Sequence, residues 1–163
     1  MELRIDYACD VPALHADFAA AQMAAFAPMI AGMRLDGVLL RLRAHTQRRA
    51  LPTSFIAHAG NAFLGGCSLL VSTPADPRPW TPWLASLVVR AERRGQGIGA
   101  ALLRHCVDEA RALGLPELHL YCAPDLHAYY STRGWQHCGD FARGTWQATV
   151  MRIGLRTPVA DAA

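Results

Sequence analysis

Val88-Val89-Arg90-Ala91-Glu92-Arg93-Arg94-Gly95-Gln96-Gly97-Ile98-Gly99-Ala100 is the stretch of sequence that decides the fold. It runs from an apolar segment through arginines and glycines straight into a helical pattern. Glycine lets a ligand approach the backbone closely, and the N–H groups at a helix start bind anions with the help of the helix dipole. The stretch therefore predicts a binding site for a pyrophosphate.

The residues on either side of the glycines support this interpretation. Trp83–Val89 is short, apolar and partly β-branched, as expected of a buried strand. After the glycines, apolar residues recur on one stripe, at Ile98, Leu102, Cys106, Ala110 and Leu113. This spacing predicts an amphipathic helix, and Gly114 with Pro116 provides its stop signal.

Two familiar phosphate-binding motifs fit these glycines poorly. A P-loop needs a Lys-Ser/Thr pair after its last glycine, whereas Gly99 is followed by two alanines. The dinucleotide fingerprint G-x-G-x-x-G/A is formally met by Gly95, Gly97 and Ala100. However, residues 90–94 separate the strand from the first glycine, and the rest of the chain is too short for a doubly wound sheet.

A third motif fits better, and it is joined by a second one downstream. Arg94-Gly95-Gln96-Gly97-Ile98-Gly99 resembles the Q/R-x-x-G-x-G/A signature of the GCN5-related N-acetyltransferase (GNAT) family, whose members hold the pyrophosphate of acetyl-CoA on these backbone amides. Tyr129-Tyr130-Ser131-Thr132-Arg133-Gly134-Trp135 is similar to the family's aromatic-Tyr-x-x-x-Gly-aromatic segment. The two motifs also follow each other in the same order and at a similar separation in sequence as in the family. The resemblance is close over residues 83–155.

The resemblance implies an α/β fold of the layered α+β type. Its central sheet is expected to be mixed, mostly antiparallel, splayed in the middle and flanked by helices. We expect one domain over residues 1–163, with residues 156–163 frayed. Outside the motifs, the predicted elements are a strand at residues 3–7, a strand at 117–122, a short helix at 125–131, and closing strands at 136–141 and 145–155.

The N-terminal half is predicted from local signals. Asp10 is expected to cap a first helix that carries Pro12 in its first turn. Asp36 is expected to cap a second helix that runs from Gly37 to about Arg48. A β-hairpin is expected around Gly60-Asn61.

The family resemblance implies which residues hold the co-substrate acetyl-CoA. Its pantetheine arm would pair with the main chain of β-strand residues Leu87, Val88 and Val89, where one N–H group would also polarise the thioester carbonyl. Its pyrophosphate would lie on Arg94, Gly95, Gln96, Gly97, Ile98, Gly99 and Ala100. Arg90 and Arg93 are equally well explained as phosphate contacts or as solvated charges.

For the chemistry, the resemblance assigns Tyr130 as the general acid that protonates the leaving CoA thiolate. The alternative is that Tyr130 only packs a short helix on the sheet. No general base stands out: His119 on the 117–122 strand is one candidate, although such histidines are more often packing residues. Ser86 would at most order a water, and Glu92 and Glu117 are expected to be solvated.

The acceptor is left open. Many family members carry an Asn and an Ala where this chain has Ala123 and Leu126, so that CoA contact is not assigned. Asp17, Asp36 and Asp76 are isolated, which disfavours a polycationic acceptor. A small amine, an amino acid and a peptide α-amine remain as candidates. Trp80 and Trp83 either line the acceptor site or pack in the core, and Trp135 is expected to be structural.

Composition supports a small cytoplasmic protein. The chain has 163 residues, 52% of them hydrophobic, and a formal net charge of +3, which is too small to suggest nucleic acid. The uncharged run at residues 18–33 is shorter than a membrane span, and no histidine pattern suggests a metal. A homodimer is possible in this family. Five cysteines without a C-x-x-C pair are expected to be reduced: Cys9, Cys67, Cys106, Cys122 and Cys138.

Three functions follow from the sequence. The main hypothesis is a cytoplasmic acetyl-CoA-dependent N-acetyltransferase that acts on a primary amine. The second is a non-catalytic domain of the same fold that binds or senses acyl-CoA. The third, a nucleotide-dependent oxidoreductase, is disfavoured by the dinucleotide-motif mismatch.

Overall fold

A computed structural model describes residues 2–72, 82–143 and 145–156. Within these residues, seven strands form one sheet in the order β1-β2-β3-β4-β5-β7-β6. The strands are β1 (Arg4–Tyr7), β2 (Thr53–Ala59), β3 (Ala62–Leu70), β4 (Trp83–Val89), β5 (Glu117–Cys122), β6 (Gln136–Arg143) and β7 (Trp146–Gly154). The helices are α1 (His15–Phe26), α2 (Leu35–Ala44), α3 (Ile98–Ala112) and α4 (His127–Ser131).

The sheet is mixed and mostly antiparallel, as predicted. Among the described residues only β4 and β5 run parallel, and their pairing there is limited to Trp83 opposite His119. The other neighbouring strands are antiparallel. The sheet therefore opens between β4 and β5, which confirms the splay. Trp80, Asp76 and residues 157–163 of the expected frayed tail lie outside the described residues.

Helices cover both faces of the sheet because neighbouring strand residues alternate between two apolar clusters. Phe55 of β2 belongs to the cluster under α3, which also contains Leu102. The next residue, Ile56, belongs to the cluster under α1 and α2, with Phe18 and Leu42. This alternation is the period of two expected of a strand buried on both faces.

The predicted start of the first helix is wrong. Asp10 and Pro12 lie in two short 3-10 turns, and α1 begins only at His15 without a side-chain cap. The carboxylate of Asp10 instead pairs with the guanidinium of Arg48. Asp10 lies four residues before Leu14, which holds the N-cap position, so it is too far away to cap α1.

The predicted limits of the second helix are also wrong. It begins at Leu35, so Asp36 lies in its first turn, where Oδ1 accepts a hydrogen bond from the N–H of Gly37 at 2.9 Å. It ends at Ala44 rather than near Arg48, because His45 leaves the helical conformation with φ −81° and ψ 69°.

Candidate active site

The glycine segment forms an exposed loop that leads into α3. Gly95 and Gly97 adopt φ of 75° and 82°, the left-handed region that favours glycine. No atom lies within 4 Å of a Cβ built on either residue. The first amide to bond back to the loop is that of Ala101, whose N–H donates to the carbonyl of Gly97 at 3.0 Å. The preceding helical amides have no intrahelical acceptor and can serve an anion.

The arginines around this loop have different roles. Arg94 turns its Nε to the carbonyl of Val89, at 3.3 Å. Arg90 pairs with Glu92 at 2.7 Å. Hydrogen bonding to its own backbone N–H, and then to Arg90, lowers the pKa of Glu92. The ionised carboxylate of Glu92 is therefore the ion-pair partner of Arg90.

Strand β4 contains a bulge next to the opening of the sheet. Its register with β3 shifts between Gly66 and Ser68, so that β4 carries one extra residue there. Ser86 in this bulge has a φ of 57°, which is unusual for a residue with a side chain. Bulges re-aim backbone groups and occur often beside active sites. Here the bulge immediately precedes Leu87, Val88 and Val89, the residues predicted to meet the pantetheine arm.

A large cavity of about 1130 Å³ begins at this bulge. Ala85, Ser86 and Leu87 line it from β4, Cys122 lines it from β5, and Tyr130 lines it from α4. Cavities that hold small ligands usually measure about 300–1000 Å³, so there is room for a thioester and an acceptor together. The structure thus brings Leu87 and Tyr130 to one cavity. Arg94, Gly95, Gln96 and Gly97 lie on an exposed loop outside that lining, and the buried Ile98 and the half-buried Gly99 begin α3.

Tyr130 is buried, with 7% of its surface exposed. Burial, followed by the nearby Cys122 and Tyr129, raises the pKa of Tyr130 above its usual range. Its phenol therefore keeps its proton at neutral pH and can donate it. The ring packs edge-on against Trp135, at 6.1 Å between centroids. Burial also raises the pKa of the Cys122 thiol to about 11, with a smaller contribution from Asp125.

Tyr129 connects the two sequence motifs, a contact that the sequence did not reveal. Its hydroxyl lies 3.7 Å from the Cβ position of Gly99, in the first turn of α3. The guanidinium of Arg133 lies over the Tyr129 ring at 3.7 Å, a cation–π contact. In the sequence, the sign of this contact is the aromatic residue directly before Tyr130. A side chain larger than hydrogen at position 99 would come into contact with this hydroxyl.

His119 does not fit the role of a general base at the cavity. It is 2% exposed, and its ring packs 5.5 Å from that of Trp83. Burial lowers its pKa, which the nearby Glu117 partly offsets. Its neighbours Leu120 and Tyr121 line the cavity, but His119 is not among the lining residues.

Part of the cavity lining, from β4, β5 and β7, is aromatic. Trp83 and Tyr121 stack there at 4.6 Å between centroids, and Trp146 lies edge-on to Tyr121. Asp36 of α2 also lines the cavity, and its carboxylate is paired with Arg34 at 3.3 Å. Further lining residues from α1, α2 and the segment between them are Phe26, Met29, Met33, Leu40 and Arg41.

Metal-binding clusters and membrane-spanning helices are both absent from the described residues. No cluster of three or more His, Cys, Asp or Glu side chains is arranged to hold a metal ion in residues 2–72, 82–143 and 145–156. In the same part of the chain, no helix has the length and apolar character needed to cross a membrane.

Several solved structures share this fold. An N-acetyltransferase from Staphylococcus aureus Mu50 is 18% identical, with a TM-score of 0.71 over 96% of this chain and 100% of that chain. The candidate acetyltransferase yncA from Salmonella typhimurium, solved with its cofactor acetyl-CoA, is 18% identical, with a TM-score of 0.69 over all of both chains. An aminoglycoside 6'-N-acetyltransferase complexed with coenzyme A is 14% identical, with a TM-score of 0.73 over 98% of this chain and 100% of that chain.

The sequence comparison agrees with the fold. None of the curated protein sequences matches this chain. The model of the acetyltransferase (GNAT) family, however, matches residues 25–135, which include the glycine loop, the opened sheet and Tyr130. Motifs, splayed sheet and family model thus agree, and the chain belongs to the GNAT acetyltransferase family.

Proposed function

We propose that this protein is an acetyl-CoA-dependent N-acetyltransferase that transfers the acetyl group directly to the primary amine of a small molecule or peptide. One arrangement supports the proposal: the sheet opens between β4 and β5, a glycine loop leads from β4 into α3, and a buried phenol with a raised pKa lines the adjoining cavity. Relatives of the same fold have been solved with acetyl-CoA or coenzyme A, which supports the co-substrate.

The backbone supplies the proposed co-substrate contacts. The free amides at the start of α3, after Gly95 and Gly97, would bind the pyrophosphate. Leu87, Val88 and Val89 would pair with the amides of the pantetheine arm, because β4 lacks a β5 partner beyond Trp83 in the described chain. An N–H of the same segment would stabilise the oxyanion that forms on the thioester carbonyl.

The reaction needs two proton transfers besides this binding. A lysine-like amine has a pKa of about 10.4, so it must lose a proton before its lone pair can attack the thioester carbon. As the C–S bond breaks, the CoA thiolate needs a proton. Tyr130 would supply it from its buried phenol.

The charges at the cavity bear on the acceptor. The wall acid Asp36 is engaged with Arg34, while Arg41 adds a positive charge. This arrangement disfavours a polycation, even though one structural relative is an aminoglycoside 6'-N-acetyltransferase. We therefore favour an acceptor with a single amine and an apolar or aromatic part that fits against Trp83 and Tyr121.

Binding and transfer assays test the proposal. Calorimetry should detect binding of CoA and no binding of NAD(P). Acetyl-CoA should then acetylate at least one member of a panel of small amines, amino acids and short peptides. Tyr130→Phe should lower kcat by about 100-fold or more while CoA binding persists.

Each negative outcome has a distinct meaning. A protein that does not bind CoA contradicts both the enzyme and the non-catalytic acyl-CoA sensor. CoA binding without transfer to any amine favours the sensor. Transfer with an unaffected Tyr130→Phe variant removes the general-acid assignment alone.

A further inference from the structure

Three buried polar side chains form a continuous chain of hydrogen bonds beside the cavity. Nδ1 of His45, just after α2, lies 2.7 Å from Oγ of Ser54 on β2. The same oxygen lies 2.7 Å from Oγ of Ser68 on β3. The three residues are 8%, 0% and 4% exposed, respectively. Such a chain is well suited to move a proton because each group is hydrogen-bonded directly to the next.

This chain reaches the place where the acetyl group would react. Ser54 and Ser68 are directly opposite each other in the β2–β3 pair. Ser68 is in turn opposite Ala85, the residue before Ser86 in the β4 bulge. Ser68 and His45 line the same cavity as the bulge residues and Tyr130.

The hydroxyl of Ser54 couples the directions of its two hydrogen bonds. It has one hydrogen, so it can donate to only one of its two partners. When it donates to Nδ1 of His45, it must accept from Ser68, whose oxygen lone pairs are then available to a group in the cavity. Burial lowers the pKa of His45, and the neighbouring positive charge of Arg41 lowers it further. His45 is therefore neutral at physiological pH and able to accept a proton.

We propose that Ser68, Ser54 and His45 form a relay that removes the proton from the acceptor's ammonium group, with Ser68 facing the amine. This inference rests on the proposed N-acetyltransferase function. It assigns a general base, for which no residue stands out in the sequence.

The protons and electrons of the reaction then balance. The ammonium gives a proton to Ser68, Ser68 passes its own to Ser54, and Ser54 passes its own to Nδ1 of His45, which later loses a proton to solvent. The freed amine lone pair forms the C–N bond. As the C–S bond breaks, Tyr130 protonates the thiolate. One of the two N–H protons of the adduct then restores Tyr130, and the other stays on the amide product.

Matched variants test the relay. Ser54→Ala and Ser68→Ala should lower kcat by about 100-fold with the best amine found in the panel, because they interrupt general-base catalysis. Thr53→Val is the control: Thr53 is also buried on β2, and its hydroxyl donates to the carbonyl of Gln47 at 2.7 Å, outside the relay. This control should stay within a few-fold of wild type, and CoA affinity should be unchanged in all three.

His45→Asn protects the test against misfolding of the alanine variants. An asparagine amide can keep a hydrogen bond near the Nδ1 position but cannot take up a proton. The folded His45→Asn variant should therefore lose kcat like the serine variants. Wild-type activity in this variant would overturn the proposal.

An acceptor that needs no deprotonation separates a relay from a merely structural role. Hydroxylamine is already neutral at about pH 8, so its acetylation should be equally fast in wild type, Ser68→Ala and His45→Asn. Equal losses with hydroxylamine and with the basic amine would overturn the relay. If wild type acetylates an amine and the serine and His45 variants do so equally fast, the relay alone is overturned. If wild type acetylates no amine, both the proposed function and the relay are overturned.

Discussion

Replacing Gly97 by alanine probes the anion-binding loop most specifically, because the same helix carries a matched control. Gly97 precedes α3 with φ 82°, and Gly114 follows it with φ 75°. At both glycines the space around an added Cβ is open, so either substitution acts mainly through the left-handed backbone. That cost is about 1–2 kcal/mol for a residue with a side chain. Each variant should lose this much stability, or about 2–4 °C of Tm per kcal/mol.

The two variants should differ in CoA binding. At Gly97 the new methyl group points into the space assigned to the pyrophosphate, or the loop relaxes and turns its amides away. We expect Kd for CoA to rise at least about tenfold, which equals about 1.4 kcal/mol, in Gly97→Ala. Gly114→Ala should bind CoA like wild type. Calorimetric titration of both variants measures this difference, and equal Kd values in Gly97→Ala and wild type would refute the assigned phosphate site.

Two further predictions concern stability. Gly66→Ala would place a Cβ 2.6 Å from the ring of buried Phe18, so its free energy of unfolding should fall by about 1–3 kcal/mol. Gly37→Ala lies in α2 where the space around a Cβ is open, so its free energy of unfolding should rise by about 0.5–1 kcal/mol. Thermal unfolding measures both changes. Equal effects of the two substitutions would contradict the packing described for β3. Burial is the largest cause that lowers the folded-state pKa of three histidines, His45, His105 and His119. The unfolded chain therefore binds more protons below pH 6.5, and the free energy of unfolding should fall as the pH drops through that value. Urea titrations from about pH 7.5 to 5.5 measure this; a flat profile would contradict it.

The conformation of the glycine loop could be predicted from the sequence because its signals are local. Gly95 and Gly97 meet a backbone requirement that few other residues satisfy, and the helix stripe that begins at Ile98 follows directly. Tyr130 is found by its motif, and the structure adds that its pKa is raised by burial. Helix starts are predicted less well, because Asp10 has a distant partner, Arg48, that no local pattern reveals.

The proton relay could not be predicted because it depends on a shift in register. A hairpin with Ala59 opposite Ala62 would place Ser54 opposite Cys67 if pairing continued evenly. The bulge between Ala57 and His58 moves the register by one residue and brings Ser54 opposite Ser68 instead. Gly65 and Gly66 lie next to this bulge in β3, but strand glycines do not define which residues pair. The cytoplasmic location and the homodimer cannot be read from local sequence patterns in a single chain. Both stay predictions.

The central claim is that an acetyl group passes from acetyl-CoA to an amine in the cavity between the bulge of β4 and Tyr130. NMR of acetyl-CoA labelled with ¹³C at the carbonyl follows that group directly in the presence of the protein and the amine panel. If the acetyl group passes directly to an amine, the thioester signal decays only when a suitable amine is present, and an amide signal grows at the same rate. A thioester signal that persists with every amine although CoA binds, or that decays to acetate equally fast without amine, would contradict the account.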